Sequence, residues 1–204
     1  MAVQVLELRP ETVRKLQERY KFVKVPTTFE ELFPVDPNEG IKFQHGAFVH
    51  DGRTIVIELL QILPNILLAE TRTTTDDADA FLDDYIQNAN KERPDVIREF
   101  DGRLYATQLE FLMDRSLETY APRMRRVAQQ LDAFVAGYGT RLPPYRVVAI
   151  SVNFNLTGLG GMVPAYFSLE RRSGLPDEAN VYFSNAPLKS SDHVALLNSL
   201  DREN

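Results

Sequence analysis

The sequence predicts an α+β fold: a mainly antiparallel sheet with two long helices packed on one face. Three observations lead there. Period-two alternation recurs along the chain, the turns joining these segments are tight, and two longer segments carry an apolar stripe at helical spacing. Tight turns join antiparallel neighbours, whereas parallel neighbours need long crossovers.

Each element has a local reason. Pro10-Glu11-Thr12 opens a short helix with Val13, Leu16 and Tyr20 on one face. Phe22, Val23 and Val25 read as a short strand. Thr27-Thr28-Phe29-Glu30-Glu31 reads as a capping box on a single helical turn. From Ile41 the pattern is strand. Asp51-Gly52 is a two-residue hairpin signal between Ala47-Phe48-Val49 and Thr54-Ile55-Val56, and Pro64-Asn65 is a second turn, so a three-strand meander ends near Arg72.

The first long helix is capped by Thr74 or Thr75 and keeps Ala78, Phe81, Leu82, Tyr85, Ile86 and Ala89 on one stripe. Tyr105, Thr107, Leu109, Phe111 and Met113 alternate with Ala106, Gln108, Glu110 and Leu112, as in a half-buried strand. The second long helix carries Leu117, Tyr120, Ala121, Met124, Val127, Ala128, Leu131, Phe134, Val135 and Tyr138, with Pro122 confined to its first turn. Val148, Ile150 and Val152 turn inward on the next strand, away from Ser151, Asn153 and Asn155. Tyr166 to Arg171 and Asn180 to Phe183 read as a closing hairpin. A last helix, capped by Ser190 or Ser191, turns Val194, Leu197 and Leu200 inward.

The length of 204 residues fits a single domain, 1–204. Asp51-Gly52-Arg53 and Asp101-Gly102-Arg103 each lead into a strand before a helix, an echo that allows a strand–helix duplication over 41–91 and 95–139. Hydrophobic residues make up 44% and charged residues 25%, which favours a packed globule over disorder.

Composition also excludes function classes. With no cysteine there is no disulfide, thiolate metal site or Cys nucleophile. A net charge of −6 does not favour nucleic acid as a main partner. The opening Met1-Ala2-Val3-Gln4-Val5-Leu6-Glu7 lacks the basic and apolar regions of a secretory signal. The apolar run Ile55 to Ala69, broken by Glu58, Gln61, Pro64 and Asn65, reads as buried strands and not as a membrane span. The expected setting is cytoplasmic, with no membrane partner.

No catalytic residue, metal ligand set or cofactor site is expected. His45 and His50 point to opposite faces of a straight strand, and His193 reads as a surface or capping residue beside Asp192. Asp76, Asp77, Asp79, Asp83 and Asp84 lack the glycine turn of a cation loop and read as a solvated helix face. Gly158-Leu159-Gly160-Gly161 has no following Lys-Ser or Lys-Thr and reads as a mobile loop.

Strand parity yields the main expectation. Gln108, Glu110, Asn153 and Asn155 would line a polar sheet face open to a second copy of the chain or to another protein. The favoured role is a non-enzymatic interaction or assembly subunit of a bacterial or phage system. A second role is binding of an anionic, phosphate-bearing ligand by Arg123, Arg125 and Arg126, whose forks suit phosphate. A third is a carboxylate-dependent hydrolase or nuclease using Glu58, Glu70 or Glu110.

Overall fold

A computed structural model of the chain describes residues 9–36, 38–92, 102–139, 142–153, 165–176 and 179–202. It is α+β, with antiparallel strands in two sheets. The chain divides into two compact units, Met1–Arg103 and Leu104–Asn204. One sheet and one of the two long helices fall in each.

The first unit opens with helix α1, Pro10–Tyr20, whose proline sits at the start, where a missing N–H costs nothing. The expected strand at Phe22 to Val25 is reduced to one bridge, Lys24 to Gln44. Helix α2, Phe29–Leu32, is a single turn closed by the expected capping box. The Thr28 hydroxyl accepts from the Glu31 amide at 3.3 Å, and the Glu31 carboxylate accepts from the Thr28 amide at 3.1 Å.

Strands β1, Ile41–His50, β2, Arg53–Ile62, and β3, Leu67–Thr71, form the antiparallel meander in that order. Asp51 and Gly52 have φ of 48° and 73°, the left-handed pair that a two-residue hairpin needs. Inward positions shift midway along both long strands. Ile41 and Phe43 give way to Gly46 and Phe48, while Ile55 and Ile57 give way to Leu60 and Ile62. At that point His45 has φ 56°, and the β2–β3 register shifts between Ile57 and Leu59. Gly46 is required there, because a Cβ would lie 2.6 Å from the Phe22 ring.

Helix α3, Thr75–Glu92, follows, and the Thr74 hydroxyl accepts from the Asp77 amide at 3.2 Å, which fulfils the expected cap. Its stripe meets the sheet as its spacing predicts. Phe81 and Tyr85 are buried beside Tyr20, Phe43, Phe48, Ile55, Ile57 and Leu60. The Phe81 ring stands edge-on to Tyr20 at 5.0 Å and to Phe48 at 5.7 Å.

The second unit contains β4, Thr107–Leu112, a 3₁₀ turn at Leu117–Thr119, α4, Pro122–Gly137, β5, Ala149–Val152, β6, Phe167–Arg171, β7, Val181–Ala186, and α5, Ser190–Arg202. The sheet order is β4-β7-β6-β5, antiparallel throughout. Pro122 lies in the first turn of α4, as its missing N–H demands. Met113, Leu117, Val147, Leu169 and Tyr182 form the core. The Tyr182 hydroxyl stitches it by accepting from the Leu117 amide at 2.9 Å and from Arg171 at 3.2 Å.

Three apolar expectations change here. On β5, Val148 and Val152 share the face of Leu169 and Phe167 yet remain exposed, because β5 is an edge strand; Val147 is buried instead. On α5, Val194 is exposed and His193 takes the inward place beside Leu197. On α4, Ala128 is buried and Val135 half-buried, while Met124, Val127, Leu131, Phe134 and Tyr138 face outward.

Candidate functional site

Four places hold the residues that carry chemistry. The outer face of the four-stranded sheet comes first. Alternation on β4 turns Thr107, Leu109 and Phe111 inward and leaves Gln108 and Glu110 exposed, as parity requires. Cross-strand pairing puts Asn185, Ser168 and Ser151 on this side with Gln108, but Ser168 is buried and the exposed Leu112 shares the face, so the row is neither open throughout nor wholly polar. The Asn185 amide donates to the Ser168 hydroxyl at 3.2 Å.

Glu110 is ion-paired with Arg172. Asn153 is exposed one residue beyond β5. It therefore sits at the opposite edge of the sheet from Gln108 and Glu110, three strand spacings or about 14 Å away. Asn155 and the Gly158-Leu159-Gly160-Gly161 loop lie outside the described residues.

The second place is α4. At 100° per residue, Ala128 and Val135 define the line facing the unit. Val127, Leu131, Phe134 and Tyr138 form one continuous flank beside that line, with Met124 at its head. The spacing Met124, Val127, Leu131, Phe134, Tyr138 alternates three and four, the seam of a helix that packs on another helix. Exposure runs from 41% at Leu131 to 78% at Tyr138. Arg123 borders the outer edge of this flank, while Arg126 leaves the helix farther round its back and Arg125 on the other side. The three guanidiniums do not converge on one point. None has an ion pair among the described residues.

The third place was not legible in sequence. His193 is wholly buried, which corrects its reading as a surface or capping residue. Its Nδ1 lies 2.7 Å from the Thr107 hydroxyl and its Nε2 2.9 Å from the Ser184 hydroxyl. Ser184 donates to the Ser168 carbonyl at 2.8 Å and the Thr107 hydroxyl to the Ala186 carbonyl at 3.3 Å, so each hydroxyl links a ring nitrogen to a main-chain carbonyl of the sheet. Burial lowers the His193 pKa. A Ser–His–Thr row resembles nucleophile chemistry on paper. Here all three side chains are buried. The row pins α5 across β4, β7 and β6. Its only sequence trace was a histidine at the start of an amphipathic helix.

The fourth place is the acidic run on α3. Asp77, Asp79, Asp83 and Asp84 each meet a cation, and Asp76 is exposed. Asp77 pairs with Arg53 at 3.2 Å, and Arg103 pairs with Asp79 at 2.7 Å and also with Asp83. Asp84 takes Arg19 at 2.8 Å and the Tyr20 hydroxyl at 2.7 Å. Burial pushes the Asp84 pKa up, but the bonds from Arg19 and Tyr20 outweigh it and hold the carboxyl below its ordinary range. Burial, and then the bond it donates to Asp84, raise the pKa of the Tyr20 hydroxyl against a smaller lowering by Arg19. These pairs tie the acidic helix to Arg19 at the end of α1 and to Arg53 at the start of β2.

Glu58 lies between Arg72, 2.5 Å away, and His45, 3.4 Å away. His50 stacks on Phe48 and contacts Asp51, so the strand shift at His45 still leaves the two histidines without a shared ligand position. Glu70 is exposed on β3. Among the described residues no group of three or more His, Asp or Glu is placed to hold a metal ion, and no helix is long and apolar enough to cross a membrane. No protein-family model, curated protein or solved structure matches the chain.

Proposed function

We propose that the chain is a non-enzymatic interaction or assembly subunit, and that α4 carries the contact. One observation supports this above the rest: the apolar row Met124, Val127, Leu131 and Phe134, continued by Tyr138 just past the helix end, is exposed on a helix whose own covered line is only the buried Ala128 and the half-buried Val135. Monomeric proteins rarely leave contiguous apolar surface uncovered unless something binds it. Interface cores are enriched in aromatic side chains and Met and poor in acids, and this seam has that composition.

The polar face of the four-stranded sheet is the weaker contact. Its charged pair, Glu110 with Arg172, is already satisfied internally, and its amide and hydroxyl row is shared between neighbouring strands. Such a face suits a rim more than an anchor.

The test is photocrosslinking in the cells that make the protein. A photoreactive residue placed at Leu131 or Phe134 is expected to give discrete protein adducts, a dimer of the chain included. The same probe at Gln108 is expected to give few. Adducts from Gln108 with none from the α4 seam would move the contact to the sheet. No adduct from any of the three positions would end the interaction reading.

A further inference from the structure

We infer that β5 is a dimerisation edge. It pairs antiparallel with β5 of a second copy about a two-fold axis at Ile150, joining two four-stranded sheets into one continuous sheet. The inference rests on the reading of the chain as an assembly subunit and does not depend on α4 as the contact.

β5 is open at its edge and on both faces. It ends the order β4-β7-β6-β5. Ala149 and Ser151 are exposed on the outer face. Val148, just before the strand, and Val152, at its end, are 59% and 62% exposed on the inner face, the face of Leu169. The Arg171 amide donates to the Val148 carbonyl at 2.8 Å, so Val148, Ile150 and Val152 turn their main-chain groups toward β6. Ala149 and Ser151 therefore aim their N–H and C=O groups outward, and no main chain meets those groups among the described residues.

Edge strands are kept apart from other strands by charges, prolines or bulges. Lys42 on β1, Glu70 on β3 and Glu110 on β4 charge the other three edge strands. Ala149-Ile150-Ser151-Val152 has no charge and no proline.

Self-pairing selects the occupant. With Ile150 opposite itself, Ala149 falls opposite Ser151 of the second copy, and each such pair exchanges both of its N–H···O=C bonds. Val148 falls opposite Val152 of the second copy on the inner face. The exposed valines of both copies then cover one another in a single apolar row. No charged residue of Ala149–Val152 opposes the approach, in a chain whose net charge of −6 repels a second copy at long range. The same patch on both copies closes the assembly at a dimer.

The experiment uses the full chain. A contact of one short strand lies at the small end of specific interfaces, below about 1,200 Å², so sedimentation equilibrium should show a monomer–dimer equilibrium in the micromolar range. Val148→Lys with Val152→Lys should abolish the dimer, because the register sets like charges opposite. Val148→Lys with Val152→Glu should keep it, because the same register sets unlike charges opposite, a rescue that loss of folding does not produce. With no cysteine in the chain, crosslinks read the register directly. Ile150→Cys should oxidise to a disulfide dimer, since Cα atoms of a non-hydrogen-bonded pair lie about 4.5 Å apart. Val148→Cys alone should not, since its two copies lie about 14 Å apart along the strands. An equimolar mixture of Val148→Cys and Val152→Cys should crosslink.

A parent chain that is monomeric throughout that range would overturn the inference, as would equal loss of the dimer in the two charged variants. A dimer that neither variant disturbs would overturn it too, and would leave the assembly reading standing with its contact elsewhere. If the chain is monomeric and the photoreactive probes on α4 and at Gln108 give no adduct in cells, both fail.

Discussion

The two long helices, α3 and α4, carry the same kind of apolar pattern and meet different fates. On α3 the stripe is closed: Phe81 is 0% exposed and stands edge-on to Tyr20 and Phe48. On α4 the stripe is open, with Phe134 exposed to 63%. Their charges differ in the same way. The α3 carboxylates are answered by Arg19, Arg53 and Arg103, whereas the α4 arginines have no ion pair among the described residues. Helical spacing therefore tells which face seeks cover. It does not tell whether the cover comes from the same chain.

Matched truncations should break this comparison most sharply. Phe81→Ala is expected to cost about 3–5 kcal/mol in urea unfolding, because it empties a packed aromatic site. Phe134→Ala is expected to stay within about 0.5 kcal/mol, as surface substitutions do. Similar losses for the two would mean that α4 is covered.

A smaller effect comes from the buried histidine. Thr107, Ser184 and the Phe167 ring lie against His193, and among the described residues it makes no salt bridge to a carboxylate. Burial lowers its folded pKa below the ordinary value of about 6.5, so the unfolded chain takes up the proton first. The stability it contributes is complete above about pH 6.5 and declines as pH falls toward the folded pKa. Urea midpoints measured from pH 8 to 5 should fall in that window, and His193→Gln should flatten the fall attributable to this residue. An unchanged pH profile in the variant would sink the account of the network.

The smallest effect is at Asp84. Its carboxyl is held below the ordinary value of about 3.9, so its contribution is complete above that pH and lost as pH falls through the lower folded value. Asp84→Asn should remove that acid sensitivity from the first unit and cost little else near neutral pH beyond the Arg19 and Tyr20 bonds. Acid unfolding followed by circular dichroism on both proteins checks this.

Much of the fold was legible. Asp51-Gly52 named its hairpin, Thr28 and Glu31 named a capping box, and the alternation from Thr107 to Leu112 placed Gln108 and Glu110 outward. These features depend on neighbours in sequence. What was not legible depends on partners far along the chain. The shift of faces at His45 answers Phe22, and the burial of His193 answers Thr107 and Ser184, which lie on other strands. The split of the strands into two sheets was likewise hidden, because every strand pair in either sheet has the same local pattern. Of the candidate contact residues, Gln108, Glu110 and Asn153 are exposed. The α4 seam was read as core because its spacing is that of a core helix.

The account stands or falls on whether α4 is open. The chain has no cysteine, so one thiol can be introduced at a time. Phe134→Cys should react with a soluble disulfide reagent at nearly the rate of the unfolded protein, while Phe81→Cys reacts only on unfolding. Protection of the thiol at position 134 to the level seen at position 81 would contradict the account.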